Sequence, residues 1–342
     1  MDKWKKAIVH LECATDSEHI YDRIKRIDGL RDKLNKGEIL HEEFAEQIGL
    51  GSRDIRYHGT AVFMIHNKRR YLITSRHVLW DEDSAKRELQ EELNRIQAWP
   101  ESNRAILIDC IVPRGRNRIF SIIFRVPNLD EVIQGDLQAH KEFLMNLGAG
   151  TSSTVPYTFS RPEIDLAVVS LDNRNSRFAD ELVSKGYEPL SLNNIGEEPS
   201  KEGTEVFTVG YPSSTALLGQ ASQNPAAANW SSSYFSLPTF SFGRVSMLHN
   251  VLPFYWVDMS IYPGNSGGPI IEVDKIVGIV SAQPTIPVEE SEELRTRIPF
   301  GKIIKAKFIA ELLSIQEQKD ATLKRLTKLR GNEASGSQAS LD

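Results

Sequence analysis

Gly264-Asn265-Ser266-Gly267-Gly268-Pro269 lies between two runs of strand-like residues, 254–260 (FYWVDMS) and 270–273 (IIEV). The glycines and the proline put Ser266 on a sharp turn. Gly, Asn, Ser and Pro dominate turns that have no chemistry at all, so composition alone leaves the role of this stretch open. The same residues also suit a nucleophile. A seryl oxygen must be exposed, and two backbone N–H groups, those of Gly264 and Ser266, must point to the place where negative charge develops during acyl transfer. A side chain at position 264 would restrict the backbone that aims the first N–H. Each such donor lowers a barrier by about 2.7–4 kcal/mol.

Working outward, short β-type runs recur at 6–13, 57–65, 71–73, 106–112, 119–126, 166–171, 205–209, 242–246, 254–260, 270–273 and 276–282. Gly, Pro, Asn and Ser separate them, the pattern of a β-sandwich or barrel. Helical spacing appears at 16–49, where Ile20, Ile24, Ile27, Leu30 and Leu34 recur among charges, and again at 81–100 and 302–330. Residues 213–233 are rich in Ser, Ala, Gln and Asn with little periodicity, which predicts a long functional or mobile loop. Residues 331–342 are small and polar and predict a disordered tail.

A serine nucleophile requires an imidazole, and the imidazole requires a carboxylate to orient it. Of the eight histidines, His77 ends an apolar strand in the string Leu72-Ile73-Thr74-Ser75-Arg76-His77. The remaining seven read as structural: His10 and His66 as ordinary strand positions, His19, His41 and His140 in polar helical or loop stretches, and His58 and His249 flanking strands. Asp165 opens the apolar run Leu166-Ala167-Val168-Val169, with Glu163 as its competitor.

These strings together resemble trypsin-like serine peptidases of the chymotrypsin fold, closest in motif to the HtrA/Deg branch. GNSGGP is similar to the active-site signature, Thr74-Ser75-Arg76-His77 to T-A-x-H, and Asp165-Leu166-Ala167-Val168 to the strand that carries the acid. Gly59-Thr60-Ala61 resembles G-T-G, with Ala61 in place of a glycine. The order His77, Asp165, Ser266 is that of chymotrypsin and differs from subtilisin and α/β-hydrolases. The resemblance implies a mainly β, double-barrel fold over about 1–313, with helical insertions at 16–49 and 81–100. A C-terminal helix extension at 314–330 follows, and no PDZ module. It further implies His77, Asp165 and Ser266 as the catalytic set and Gly264 and Ser266 as the oxyanion hole. Ser281, Ala282 and Gln283 become the edge that pairs with substrate backbone, and Ser260 the base of the pocket for the residue before the scissile bond. An uncharged Ser260 leaves a buried cation unpaired there, which predicts a preference for small or apolar residues over Lys and Arg. Asn265 stands where many zymogens carry an aspartate that captures a new N-terminal ammonium, so activation by trimming is not expected.

The bulk composition agrees. Over 342 residues, 41 Lys+Arg against 46 Asp+Glu give a net charge of −5, which identifies neither a nucleic-acid nor an anionic-membrane partner. The basic residues Lys324, Arg325, Lys328 and Arg330 read as the solvated face of a helix. Two cysteines build no disulfide scaffold, and no secretory leader is visible, so a cytoplasmic location is expected. No His/Cys/Asp cluster has ligand spacing, so neither metal nor organic cofactor is expected. The expected partners are a protein or peptide substrate and a regulatory protein meeting the inserted helices. The contrasting reading is a catalytically idle module that keeps the barrel and binds partners.

Overall fold

The computed structural model describes residues 1–16, 20–49, 53–80, 82–97, 100–101, 121–127, 140–147, 153–173, 176–212, 217–218, 234–235, 238–288 and 291–338. A short helix α1 (Asp2–Lys6) leads into β1 (Ile8–Asp16), then come α2 (Ile20–Asn35), α3 (His41–Gly49), β2 (Arg53–His66) and β3 (Arg69–Ser75). Next are α4 (Arg76–Leu79), α5 (Glu82–Gln97), β4 (Ser121–Pro127), β5 (His140–Asn146), β6 (Tyr157–Phe159), β7 (Leu166–Ser170), α6 (Arg177–Ser184) and β8 (Leu190–Ser191). The C-terminal half holds β9 (Glu205–Gly210), β10 (Leu217–Leu218), β11 (Tyr234–Phe235), β12 (Thr239–Met247), β13 (Phe254–Val257) and β14 (Pro269–Glu272). It ends with β15 (Lys275–Ala282), β16 (Thr285–Val288), β17 (Ser291–Arg297), β18 (Gly301–Lys305) and α7 (Ile309–Gln338).

The strands form two units, the mainly β architecture expected from the sequence. The second is a closed six-stranded barrel, β12-β13-β18-β15-β14-β9. The first is an eight-stranded sheet in the order β5-β4-β1-β2-β3-β7-β6, with β8 added parallel to β2. Strand alternation sorts the side chains. Val9, Leu11, Cys13, Ala61, Phe63 and Val169 face one core, whereas Ile8, Val62, Met64, Ile73 and Val168 face the other way. There they join Val209, Ile271, Ile279 and Ile304 of the barrel in a single cluster. The seam between the units is thus a hydrophobic core.

The inserted helices fall where helical periodicity placed them. The first begins later than expected because β1 runs on to Asp16, which pairs with Arg53 across the insertion. Arg26 Nη1 donates to the Gln47 carbonyl at 2.7 Å and ties α2 to α3. The expected strand at 106–112 and most of the loop at 213–233 lie outside the described residues.

Two expectations for the C-terminal part are corrected. Residues 302–305 fit a helical pattern in sequence but belong to β18, because Ile303, Ile304 and Lys305 are buried between β13 and β15 and close the barrel. Tertiary pairing overrides local preference there. Helix α7 is continuous across 313/314 and runs through much of the expected tail, to Gln338. Once a helix is nucleated, each further residue adds a hydrogen bond at low entropic cost. Nor is α7 an appendage: Gln316 and Asp320 are buried. Asp320 accepts hydrogen bonds from Ser170 Oγ at 2.7 Å, Asn173 Nδ2 at 2.5 Å and Gln316 Nε2 at 2.8 Å, with the Arg69 guanidinium at 3.3 Å. Gln316 Oε1 accepts from Thr158 Oγ1 at 2.8 Å. Replacing Asp320 by Ala strands several buried donors at once. The expected cost is about 3–5 kcal/mol of stability, measured as a lower midpoint in chemical denaturation with an unchanged slope.

Candidate active site

Strand β3 ends at Ser75, whose Oγ donates to the Val280 carbonyl at 2.7 Å, and α4 then lifts His77 to the rim of the seam. Asp165 closes on it from the start of β7. The Asp165 carboxylate accepts from His77 Nδ1 at 2.8 Å and from the His77 backbone N–H at 3.0 Å. Its backbone carbonyl accepts from the Arg76 N–H at 3.0 Å. Glu163 is exposed and makes no such contact among the described residues, so the geometry separates the two acids. Asp165 has φ of +49°, a left-handed conformation that non-glycine residues adopt at a cost. The hydrogen bonds on both of its ends hold it there.

Ser281 joins this pair to Ser266. Its hydroxyl donates to Asp165 Oδ2 at 2.6 Å, and its carbonyl receives Ser266 Oγ at 3.4 Å. The seryl hydroxyl is therefore turned toward β15, and among the described residues no hydrogen bond joins it to His77. Ser281, expected as part of a backbone edge, also turns its side chain to the carboxylate and is almost wholly buried. Ala282 is exposed, and Gln283 Nε2 donates to the Ile298 carbonyl at 2.9 Å.

The turn around Ser266 is held from below. Thr60 donates its backbone N–H to the Ser266 carbonyl at 2.8 Å and its hydroxyl to the Gly264 carbonyl at 2.8 Å. The Gly267 N–H donates to Val280 O at 2.8 Å. Gly264 has φ of +96° and Gly267 φ of +86°, both in the region that favours glycine. A Cβ on Gly267 would lie 2.1 Å from Thr60 O and from Thr74 Oγ1, so the turn also requires glycine for space. The N–H groups of Gly264 and Ser266 donate to no other described residue. Asn265 is 1% exposed, and its Oδ1 has no hydrogen-bond partner among the described residues. Ser260 is exposed, with buried Met259 and Ile261 on either side.

Burial raises the pKa of the Asp165 carboxyl, and the hydrogen bond and charge of His77, with the Ser281 hydroxyl, outweigh it; the net direction is downward from 3.8. With Nδ1–H donating to that carboxylate, His77 Nε2 is the nitrogen left to accept a proton.

Thr60 and the side chain of Ser281 are the parts of this site that sequence reading missed. Both lie in strings already singled out, next to Gly59 and in the strand after the nucleophile turn. Their side-chain roles appear only once the two units meet.

The profile of the trypsin-like peptidase domain family matches residues 59–279, more than half of the chain, and the chain belongs to that family. Solved structures similar to it include human heparin binding protein, at 12% identity over 75% of this chain and 86% of that one, with a TM-score of 0.40. Another is the catalytically active tobacco etch virus protease complexed with product, at 11% identity over 93% of this chain and 80% of that one, with a TM-score of 0.40. No curated protein matches the chain.

The sign of the Asp165 shift defines a pH window. A carboxyl whose folded pKa is depressed contributes stability above its unfolded value, and that contribution is lost as pH falls through the folded value. The stability gap between wild type and Asp165→Asn should therefore be widest near neutral pH and close below about pH 4, as read from denaturation midpoints across pH.

Proposed function

We propose that this trypsin-like domain is a serine endopeptidase acting through His77, Asp165 and Ser266. The observation that carries the reading is the Asp165 carboxylate on His77 Nδ1 at 2.8 Å, with Ser281 linking it to the Ser266 turn. Ser266 Oγ rotates from Ser281 toward His77 Nε2, gives up its proton there and attacks the scissile carbonyl. The oxyanion is received by the Gly264 and Ser266 N–H groups. His77, held by Asp165, then returns the proton to the leaving amine. The buried, uncharged Asn265 supports competence without capture of a new N-terminal ammonium.

The expected specificity is for small or apolar residues before the scissile bond, in keeping with an uncharged Ser260. A protein or peptide is the substrate. Helices α2, α3 and α5 are surfaces for a regulatory protein, and we assign no nucleic-acid, membrane or cofactor partner to the activity. Cys13 is a free thiol sealed in the core, its pKa pushed upward by burial, which suits a reducing, cytoplasmic setting. No helix of the described residues is long and apolar enough to cross a membrane.

The contact of Ser266 Oγ with Ser281 O, in place of one with His77, favours a second reading: an idle protease-fold module that serves as a binding scaffold. A fluorophosphonate probe separates the two. Labelling of wild type that is lost in Ser266→Ala, with Asp165→Asn slowed about 10⁴-fold, supports the peptidase. A blank with folded wild type supports the scaffold.

Cleavage-site profiling should give Val, Ala or Leu before the cut and discriminate against Lys and Arg. A profile dominated by basic residues would show that an acid reaches the pocket from another segment.

A further inference from the structure

Strands β1 and β2 place a second cluster of ionisable side chains at the seam, away from the Asp165–His77 pair. Glu12 lies directly opposite His58, and His10 opposite Thr60. Because side chains alternate along a strand, His10, Glu12 and His58 leave the sheet on the same side as Ile8 and Val62, toward the barrel. His10 is 8% exposed, Glu12 is fully buried and His58 is partly buried. The imidazoles of His10 and His58 stack, with centroids 5.6 Å apart and planes within 9°. The His10 ring also rests on Tyr211, at 5.2 Å between centroids. One ligating atom from each of His10, Glu12 and His58 lies within 4.8 Å of the other two.

In sequence the two histidines read as structural positions without ligand spacing. What that reading misses is that residues two apart on a strand share a face and that the ladder brings the third ligand across. Two imidazoles and one carboxylate form a nitrogen–oxygen donor set suited to zinc and its neighbours, with a fourth position left for water. Tetrahedral zinc with bonds of about 2.0–2.1 Å needs donor atoms about 3.3 Å apart. Side-chain rotations at three positions on two paired strands supply the remaining closure.

We propose that His10, Glu12 and His58 bind one divalent transition-metal ion of the zinc class. The ion cross-links β1 to β2 beside Thr60, which lies directly opposite His10 and carries the Ser266 turn. It takes no part in the peptidase chemistry, and its site stands whether or not Ser266 is a nucleophile.

The test uses the full chain, stripped with a chelator and dialysed. Titration with zinc, followed by calorimetry and metal analysis, should give one ion per chain and a raised thermal midpoint. Cobalt should give the visible absorption of a low-coordinate nitrogen–oxygen site. His58→Gln, His10→Gln and Glu12→Gln should each lower zinc affinity by more than about 100-fold, beyond the 10–100-fold typical of lost outer partners. They should also abolish the cobalt spectrum, while His77→Ala retains both. His58 is only partly buried, so His58→Gln carries the test even if the two buried variants fail to fold. Absence of stoichiometric zinc binding by wild type overturns the proposal. So does binding that persists unchanged in His58→Gln, or binding lost in His77→Ala.

Discussion

The two halves of this molecule meet at Thr60, and the position of the Ser266 turn follows from that residue. Its N–H reaches the Ser266 carbonyl and its hydroxyl the Gly264 carbonyl, while the same oxygen accepts the Tyr211 N–H at 3.0 Å. Its own carbonyl accepts from Thr74 Oγ1 at 2.8 Å. One buried residue of the first sheet thus has every backbone and side-chain polar group paired, and its N–H and hydroxyl fix a turn that belongs to the barrel. Buried polar groups are costly when unpaired and rigid when fully paired. Here that rigidity falls on the two carbonyls flanking Asn265. With Thr60 O and Thr74 Oγ1 packed directly under Gly267, the turn has no room for any other residue at that position.

Much of this was legible in the sequence, for a physical reason. Positions at which only one residue type can stand, such as Gly267 in its tight left-handed turn, leave strings that survive in a chain of otherwise ordinary composition. The His77 string and the Asp165 string are legible on similar grounds: each ends or begins a strand buried on both faces, and such strands read as continuous apolar runs. What could not be read is what depends on pairing between distant segments. Residues 302–305 carry a pattern compatible with a helix and become a strand because the barrel has a gap between β13 and β15. Gln316 and Asp320 are polar helix residues that are buried because α7 lies against β6 and β7. The side-chain role of Ser281 depends on a partner 116 positions away in the chain.

Buried polar contacts recur along the surfaces where elements distant in sequence meet. Asp320 gathers donors from β7, from the loop after it and from its own helix. Lys305, fully buried in the barrel wall, donates to the His249 carbonyl at 2.8 Å and pairs with Glu198 at 2.5 Å. Apolar packing alone tolerates small slips between layers, whereas a misplaced layer leaves each of these groups unpaired in a dry interior. The consequence is specificity of docking. The cluster of apolar residues at the seam supplies the driving force, and polar contacts that cross it, such as those of Thr60, Ser75 and Ser281, select one register of sheet against barrel.

That selection matters because the groups proposed for chemistry come from both units. His77 and Asp165 belong to the first, whereas Ser266, its flanking N–H donors and Ser281 belong to the second. A relative displacement of the two units would stretch the 2.6 Å contact between the Ser281 hydroxyl and Asp165. Strain at Asp165 and crowding at Gly267 therefore lie on opposite sides of the same seam. Each is sustained by the partner unit: Asp165 by Ser281 of the barrel, and the Gly267 turn by Thr60 of the sheet. Each unit holds part of its own half of the site, and the contacts of Ser281 with Asp165 and of Thr60 with the Ser266 turn join the two halves.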